Sequence, residues 1–229
     1  MAPSCRTPVV TVTLMPALLP TFEPLTGPYL HLTPMTEADL PELATLLSDP
    51  RQHEAGMIMY TCPTTPEEAL ALARRRYFAP AGPLSGLGYG KLGYAIRLRE
   101  DSDLGTAGTL VGTSTLSEFH LTNESTHVGT TMYGRSWWGT VVNPAAKLIL
   151  LGHAFDDLGY GRVRIQTDVV NLRSRAAIEK LGARFEGVRR RDMLREDGTF
   201  RDTAAYAITL DDWPEVRRGL IERVNAWPS

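Results

Sequence analysis

From Thr126 to Val170 the chain reads as a strand, a helix and a second strand, and no other passage constrains the fold as much. Thr126 to Gly134 has strand character, and Asn143-Pro144 supplies an N-cap followed by proline at the first helical position. Leu148, Leu151, Gly152, Phe155 and Leu158 then share one helical face up to Gly159, and Arg162 to Val170 returns to strand. A unit of this kind makes its two strands parallel neighbours joined by a right-handed crossover.

The flanking segments complete a sheet around that unit. Tyr29 to Pro34 alternates apolar and polar residues, and a helix follows with Asp39 as N-cap, Leu40, Leu43, Ala44 and Leu47 as its face, and Asp49-Pro50 as its end. Thr65, Pro66 and Glu68 form a capping box for a second helix that runs to Pro80, before a flexible loop from Ala81 to Gly90. Lys91 to Arg99 and Thr109 to Ser117 lead by short polar joins into the Thr126 strand, the pattern of an antiparallel meander. Beyond Val170 come a helix from Asn171 to Leu181 closed by Gly182, strands Phe185 to Leu194 and Arg201 to Leu210 joined at Glu196-Asp197-Gly198, and a last helix from near Asp212 along Val216, Leu220 and Val224. The expected architecture is one mixed α/β (α+β) domain with a central sheet of about seven strands flanked by helices.

Residues 1–21 read as a poorly ordered leader to a domain over 22–229, with Met15 as an alternative start. Val9 to Pro20 is apolar, but it is too short for a membrane span and is broken by Pro16 and Pro20. With 24 Lys+Arg against 26 Asp+Glu, the net charge of −2 excludes a general coat for nucleic acid or anionic membrane, so any basic site is local. Two distant cysteines, Cys5 and Cys62, give neither a disulfide framework nor a metal site, which points to the cytoplasm.

Two stretches can carry chemistry. In YGRSWWGTVVNPAAK, residues 133–147, a strand meets a helix N-terminus at the carboxyl end of the sheet, where free amides and the helix dipole suit a phosphate or pyrophosphate; a plain tight turn is the alternative. In QTDVVNLRSRAAIEKLG, residues 166–182, Ser174 lies one helical turn beyond Asn171, which by itself reads as an N-cap with an incidental serine. Arg189, Arg190 and Arg191 alternate across a strand instead of forming one basic patch, and Gly86, Gly88, Gly90 and Gly93 lack the strand-to-helix turn of a dinucleotide site.

Taken together, the WGT turn, the run NPAAKLILLGHAFDDLGYGRVRIQTDVVNLRSRAAIEKLGARFEGVRR and the later DGTFRDTAAYAI resemble the GCN5-related N-acetyltransferase (GNAT) superfamily over about Phe22 to Val224. More narrowly they are similar to its RimJ/RimL-like, ribosomal-protein-acetylating branch. The resemblance implies a parallel strand pair that splays apart, acetyl-CoA between the two strands as co-substrate without a metal, and an amine-bearing acceptor, either a protein N-terminus or a small molecule. It puts the pyrophosphate on Trp138, Gly139, Thr140, Val141, Val142 and Asn143, with Arg135, Arg173 and Arg175 as candidates for the CoA phosphates. Asn171 corresponds to the residue that holds the pantetheine, and Ser174 to the position near the thioester sulfur. Val141 stands where the family turn usually has a second glycine, and its Cβ restricts the backbone there.

The implied mechanism is direct attack by a neutral amine on the thioester, which needs a proton acceptor, an amide for the oxyanion and a donor for the departing thiolate. His127 is the candidate for the first role because an ordinary imidazole titrates in the useful range. A cross-strand histidine is the alternative, and Glu118 and Glu124 read as solvated loop carboxylates. Relatives can carry a glutamate after EGV, where this chain has Met193; Asp192 beside it faces the other way on a regular strand. A non-catalytic CoA-binding protein on the same scaffold is the competing function, and a homodimer is compatible with the branch.

Overall fold

The computed structural model describes residues 16–78 and 90–228. Their strands form one sheet in the order β1-β2-β3-β4-β5-β6-β8-β7. The strands are β1 (Leu25–Thr26), β2 (Leu30–Pro34), β3 (Lys91–Leu98), β4 (Leu110–His120), β5 (Ser125–Tyr133), β6 (Arg162–Asp168), β7 (Arg184–Leu194) and β8 (Phe200–Thr209). The helices are α1 (Leu40–Leu47), α2 (Pro50–Glu54), α3 (Pro66–Arg76), α4 (Val142–Gly152), α5 (Leu172–Lys180) and α6 (Trp213–Asn225). As the strand–helix–strand reading requires, β5 and β6 are parallel and α4 crosses between them, whereas every other neighbouring pair is antiparallel.

Two apolar clusters sandwich the sheet. On one face α4 and α6 pack Val142, Ala145, Leu150, Val216 and Leu220 against Val128, Val163, Ile165, Tyr206 and Ile208. On the other, α1 and α3 pack Leu40, Leu43, Leu47, Leu72 and Ala73 against Met35, Ala95, Leu110 and Met132. Alternation along β6 therefore turns Arg164, Gln166 and Asp168 away from α4, and the same parity in β8 turns Arg201 and Thr203 with them.

Several boundaries differ from the sequence reading. The expected sheet of about seven strands has eight, the addition being two-residue β1, which pairs with β2 through backbone bonds that side-chain pattern does not encode. Asp39 caps nothing forward; its carboxylate turns back to the Thr36 amide and hydroxyl, at 2.7 and 2.8 Å, and pairs with Arg97 at 2.7 Å. Asp49-Pro50 ends α1 but also begins α2, with the Asp49 side chain accepting from the Arg51 amide at 3.0 Å. Asn143 is not an N-cap, since α4 starts one residue earlier and Thr140 Oγ1 accepts from the Val142 amide at 3.3 Å. A domain edge at residue 22 falls inside packed structure: Ala17 is 2% exposed and the Leu18 amide donates to the Leu158 carbonyl at 2.8 Å. The rest of the expected leader, to residue 15, and the expected loop from Ala81 to residue 89 lie outside the described residues. No helix among the described residues is long and apolar enough to cross a membrane.

Candidate active site

β5 and β6 pair only at Ser125–Arg162, Thr126–Val163 and His127–Arg164. Beyond those positions Val128 to Tyr133 and Ile165 to Asp168 share no ladder, so the facing backbone groups of both strands are left for another partner. The β5 edge of this opening is bulged. Thr130 has φ 46°, and the β4–β5 register skips between Thr113 and Thr115. Side chains brace the bulge: Thr115 donates to the Gly129 carbonyl at 2.9 Å, Ser114 and Thr131 hydroxyls meet at 2.7 Å, and Lys147 of α4 donates to Thr131 at 2.8 Å.

The carboxyl end of β5 runs through a short 3-10 turn, Arg135–Trp137, to the start of α4. Trp138 Nε1 donates back to the Tyr133 carbonyl at 2.9 Å and Thr140 Oγ1 to the Trp137 carbonyl at 2.8 Å, which ties the turn down. Gly139 has φ 77°, a conformation that glycine adopts without strain. The backbone N–H groups of Gly139, Thr140 and Val141 meet no acceptor among the described residues. Val141 has φ −66°, which suits any residue, and its side chain is buried in the core, so the missing second glycine does not close the turn. The Trp138 ring lies 3.5 Å from the Arg173 guanidinium carbon and 4.5 Å from that of Arg135. Burial, and then Arg135, both work against the charge on Arg173. Two cations and three free amides thus converge on one helix N-terminus, which is an anion-binding arrangement. Arg175 does not join them: it donates to the Tyr206 hydroxyl at 3.1 Å and lies 5.7 Å from the Phe185 ring centre.

At the end of β6, Asn171 caps α5, its Oδ1 accepting from the Ser174 amide at 2.9 Å while Nδ2 donates to the Gly56 carbonyl at 3.1 Å. One Nδ2 proton and one Oδ1 lone pair remain. The Ser174 hydroxyl is half-buried and has no partner among the described residues.

On the face away from α4 lies a polar strip that the sequence reading did not assemble. His127 is 7% exposed, with Nδ1 3.1 Å from the Ser117 hydroxyl and Nε2 buried without a partner among the described residues. Desolvation pulls its pKa down to about 4 against the attraction of Glu118, with Arg164, Lys147 and Arg189 adding to the fall. It is therefore a neutral imidazole near pH 7, not a group titrating there. Glu118 is not a free loop carboxylate either, since Arg164 holds it at 2.9 Å. Arg191 has φ 51° at a two-residue register shift in β7, which keeps Met193 opposite Arg201 but kinks the strand beside Asp192, the residue that regular alternation turns away. Asp192 meets Arg189 at 3.1 Å, and Arg189 in turn donates to Gln166 on β6.

An α/β sheet opened between two parallel strands, above a helix N-terminus with free amides, defines a protein built to take an elongated, anionic ligand. The chain belongs to the GNAT acetyltransferase family: residues 29–184 match the model of the acetyltransferase (GNAT) domain, and it is accordingly an N-acetyltransferase of a family that uses acetyl-CoA. Among solved structures it is similar to a protein from T. thermophilus assigned as an acetyltransferase, at 28% identity and TM-score 0.72, over 90% of this chain and 100% of that one. A GCN5-related N-acetyltransferase from Brucella melitensis shares the fold at 22% identity and TM-score 0.77, over 92% and 89% of the two chains. Mycobacterium smegmatis RimJ in complex with CoA-disulfide does so at 22% identity and TM-score 0.61, over 87% and 92%. No curated protein matches the sequence.

Proposed function

We propose that this chain transfers the acetyl group of acetyl-CoA to a primary amine in the manner of the RimJ/RimL-like branch, by direct attack on the thioester. The observation that carries this reading is the opening of β5 from β6 beside three partnerless amides at residues 139–141. The amides of the Trp138–Asn143 turn, with Arg135 and Arg173 over Trp138, hold the pyrophosphate, and the spare proton and lone pair of Asn171 hold the pantetheine. Bound acetyl-CoA supplies the activated acyl group. Unpaired N–H groups on the bulged part of β5 steady the oxyanion, and the free Ser174 hydroxyl donates to the departing sulfur. His127, neutral and with one ring nitrogen unspent, orients water that carries the ammonium proton away along the polar strip. Cytoplasmic residence fits the free thiol of Cys62.

The test is to follow free thiol while the protein is incubated with acetyl-CoA and an amine panel, alongside the thermal shift given by CoA. Thiol release above background is expected; no release and no shift would overturn the reading, and a shift without release would favour the non-catalytic alternative. Ser174→Ala should lower kcat by roughly a hundredfold, the lower end for removal of a proton donor, while leaving KM for acetyl-CoA within about threefold. Equal losses in both would make the serine structural.

Gly139→Ala isolates the turn. A Cβ there meets no atom within 4 Å, so only its φ of 77° is penalised, at a cost of about 1 kcal/mol. The turn is expected to relax that strain by rotating its amides, which raises KM for acetyl-CoA about tenfold if close to 1.4 kcal/mol of binding is lost. An unchanged KM at a lowered melting temperature would remove these amides from the CoA site.

A further inference from the structure

The polar strip contains one cation too many. Asp192 is held by Arg189 and Asp168 by Arg195 at 2.6 Å, and Glu118 forms an ion pair with Arg164, whose Nε and Nη2 nevertheless make no hydrogen bond among the described residues, so each carboxylate on this face already has a guanidinium beside it. Arg201 is the fourth arginine. It lies on β8 two residues beyond Thr203, the cross-strand partner of Asp168, and is 7% exposed. Its Nε and Nη2 are buried with no hydrogen-bond partner among the described residues, as is the hydroxyl of Thr203. Residues 1–15 and 79–89 contain no Asp or Glu that could supply a side-chain carboxylate. Burial works against the charge on Arg201, partly offset by the attraction of Asp168 and Asp192, yet neither carboxylate hydrogen-bonds it and a guanidinium cannot shed its proton, so its donors stay unspent.

The two orphan nitrogens are those that lie side by side on one edge of the guanidinium. Elsewhere in this protein that same edge binds carboxylate: Arg51 spans both oxygens of Asp49 through Nε and Nη2 at 2.8 and 2.7 Å, and Arg195 donates the same two groups to one oxygen of Asp168 at 3.1 and 2.6 Å. Such an edge matches the two oxygens of a carboxylate, and in a dry setting the pair of bonds gains strength. With strands about 4.8 Å apart and two residues spanning about 6.8 Å, the Cα of Arg201 lies roughly 8 Å from that of Asp168, at the end of the β6 edge of the cleft.

We infer that Arg201 is a specificity determinant that receives a carboxylate of the acceptor, so that the preferred substrate is an amine that also carries a carboxylate. This rests on the acetyl-transfer reading above. Thr203 completes the subsite by donating its hydroxyl to the same group.

The test compares glycylglycine with glycylglycinamide as acceptors for the full-length protein and acetyl-CoA, with glycyl-aspartic diamide as a third acceptor whose carboxylate comes from a side chain, as it would at a protein N-terminus. The acids should exceed the amide in kcat/KM by tenfold or more. Arg201→Gln should abolish that preference by acting on KM for the acids, and Arg201→Lys, which keeps the charge without the fork, should restore only part of it. A preference that survives Arg201→Gln, or wild-type rates equal for acid and amide, overturns the inference while leaving acetyl transfer intact. Binding supplies a readout that needs no turnover: glutarate should raise the melting temperature of the wild type and not of Arg201→Gln, and glutaramide should raise neither. Equal stabilisation by glutarate and glutaramide, or none by glutarate, counts against the subsite even if no amine in the panel is acetylated.

Discussion

Replacing Lys147 with methionine should make the protein more stable at pH 7, by roughly 2–4 kcal/mol once the lost hydrogen bonds are set against the removed charge. Lys147 is 4% exposed, and its amine reaches only the hydroxyls of Thr131 at 2.8 Å and Ser114 at 3.4 Å. No carboxylate among the described residues pairs with it, and desolvation alone pulls its pKa from 10.5 to about 7. The unfolded chain holds this proton up to about pH 10.5 and the folded chain releases it near 7, so between those values the unfolded state binds more protons and stability rises with pH. Below pH 7 the whole penalty is present, on the order of 4–5 kcal/mol at 1.36 kcal/mol per pKa unit; above 10.5 it has gone. Methionine keeps the length without the charge, and Ser114 and Thr131 remain bonded to each other at 2.7 Å, so no orphan hydroxyl is left. Denaturant unfolding at pH 7 and pH 9 checks this. Wild type should gain about 2–3 kcal/mol between the two, while Lys147→Met stays nearly flat. Equal slopes, or a destabilised variant at pH 7, would refute it.

The contrast between Lys147 and Asn171 shows what sequence could and could not carry. Asn171 is legible because a cap acts locally: residue 171 serves the amide of residue 174, and that spacing is written along the chain. The parallel pair is legible for a similar reason, since a strand, a helix and a strand of ordinary length admit one handedness of closure. Lys147 lies within a helical pattern, and only the packing of α4 on β5 shows that it points inward at a bulge. The polar strip escapes for a more general reason. Period-two reasoning assigns faces only while a strand stays regular, and Thr130 and Arg191 break it with φ of 46° and 51° in residues that carry side chains. Gly129 stands beside the first bulge, but the left-handed residues themselves carry side chains, so the contact of Asp192 with Arg189 goes unread; Arg201 lies beside an unshifted β6–β8 ladder, and only its buried, partnerless guanidinium singles it out. Val141 fails in the other direction. Comparison with the family turn makes it an obstacle, but a helical φ and an inward side chain leave its amide free.

Gly112→Ala should cost more than about 4 kcal/mol, enough to prevent folding at 37 °C in a domain of ordinary marginal stability. Gly112 lies on β4 opposite Tyr133 of β5, and a Cβ on it would sit 2.1 Å from the Met132 carbonyl oxygen and 2.9 Å from the Tyr133 Cα. These are backbone atoms and cannot swing aside as a side-chain tip would. Relief requires β5 to move away from β4 just where the Tyr133 carbonyl also accepts from Gln52 at 2.8 Å and from Trp138 at 2.9 Å. The strain would therefore reach both the rim of the cleft and the turn at Gly139. Gly108→Ala is the control for backbone strain alone. Gly108 has φ 81° and nothing within 4 Å of its would-be Cβ, so about 1 kcal/mol is expected. Gly219→Ala, in α6 with open space and an ordinary φ, should stabilise by about 0.5–1 kcal/mol. Melting temperatures in the order Gly219→Ala, wild type, Gly108→Ala, Gly112→Ala would support close backbone approach as the cause. A Gly112→Ala protein as stable as Gly108→Ala would mean that β4 and β5 are not held this tightly, and that the bulge beside them can give.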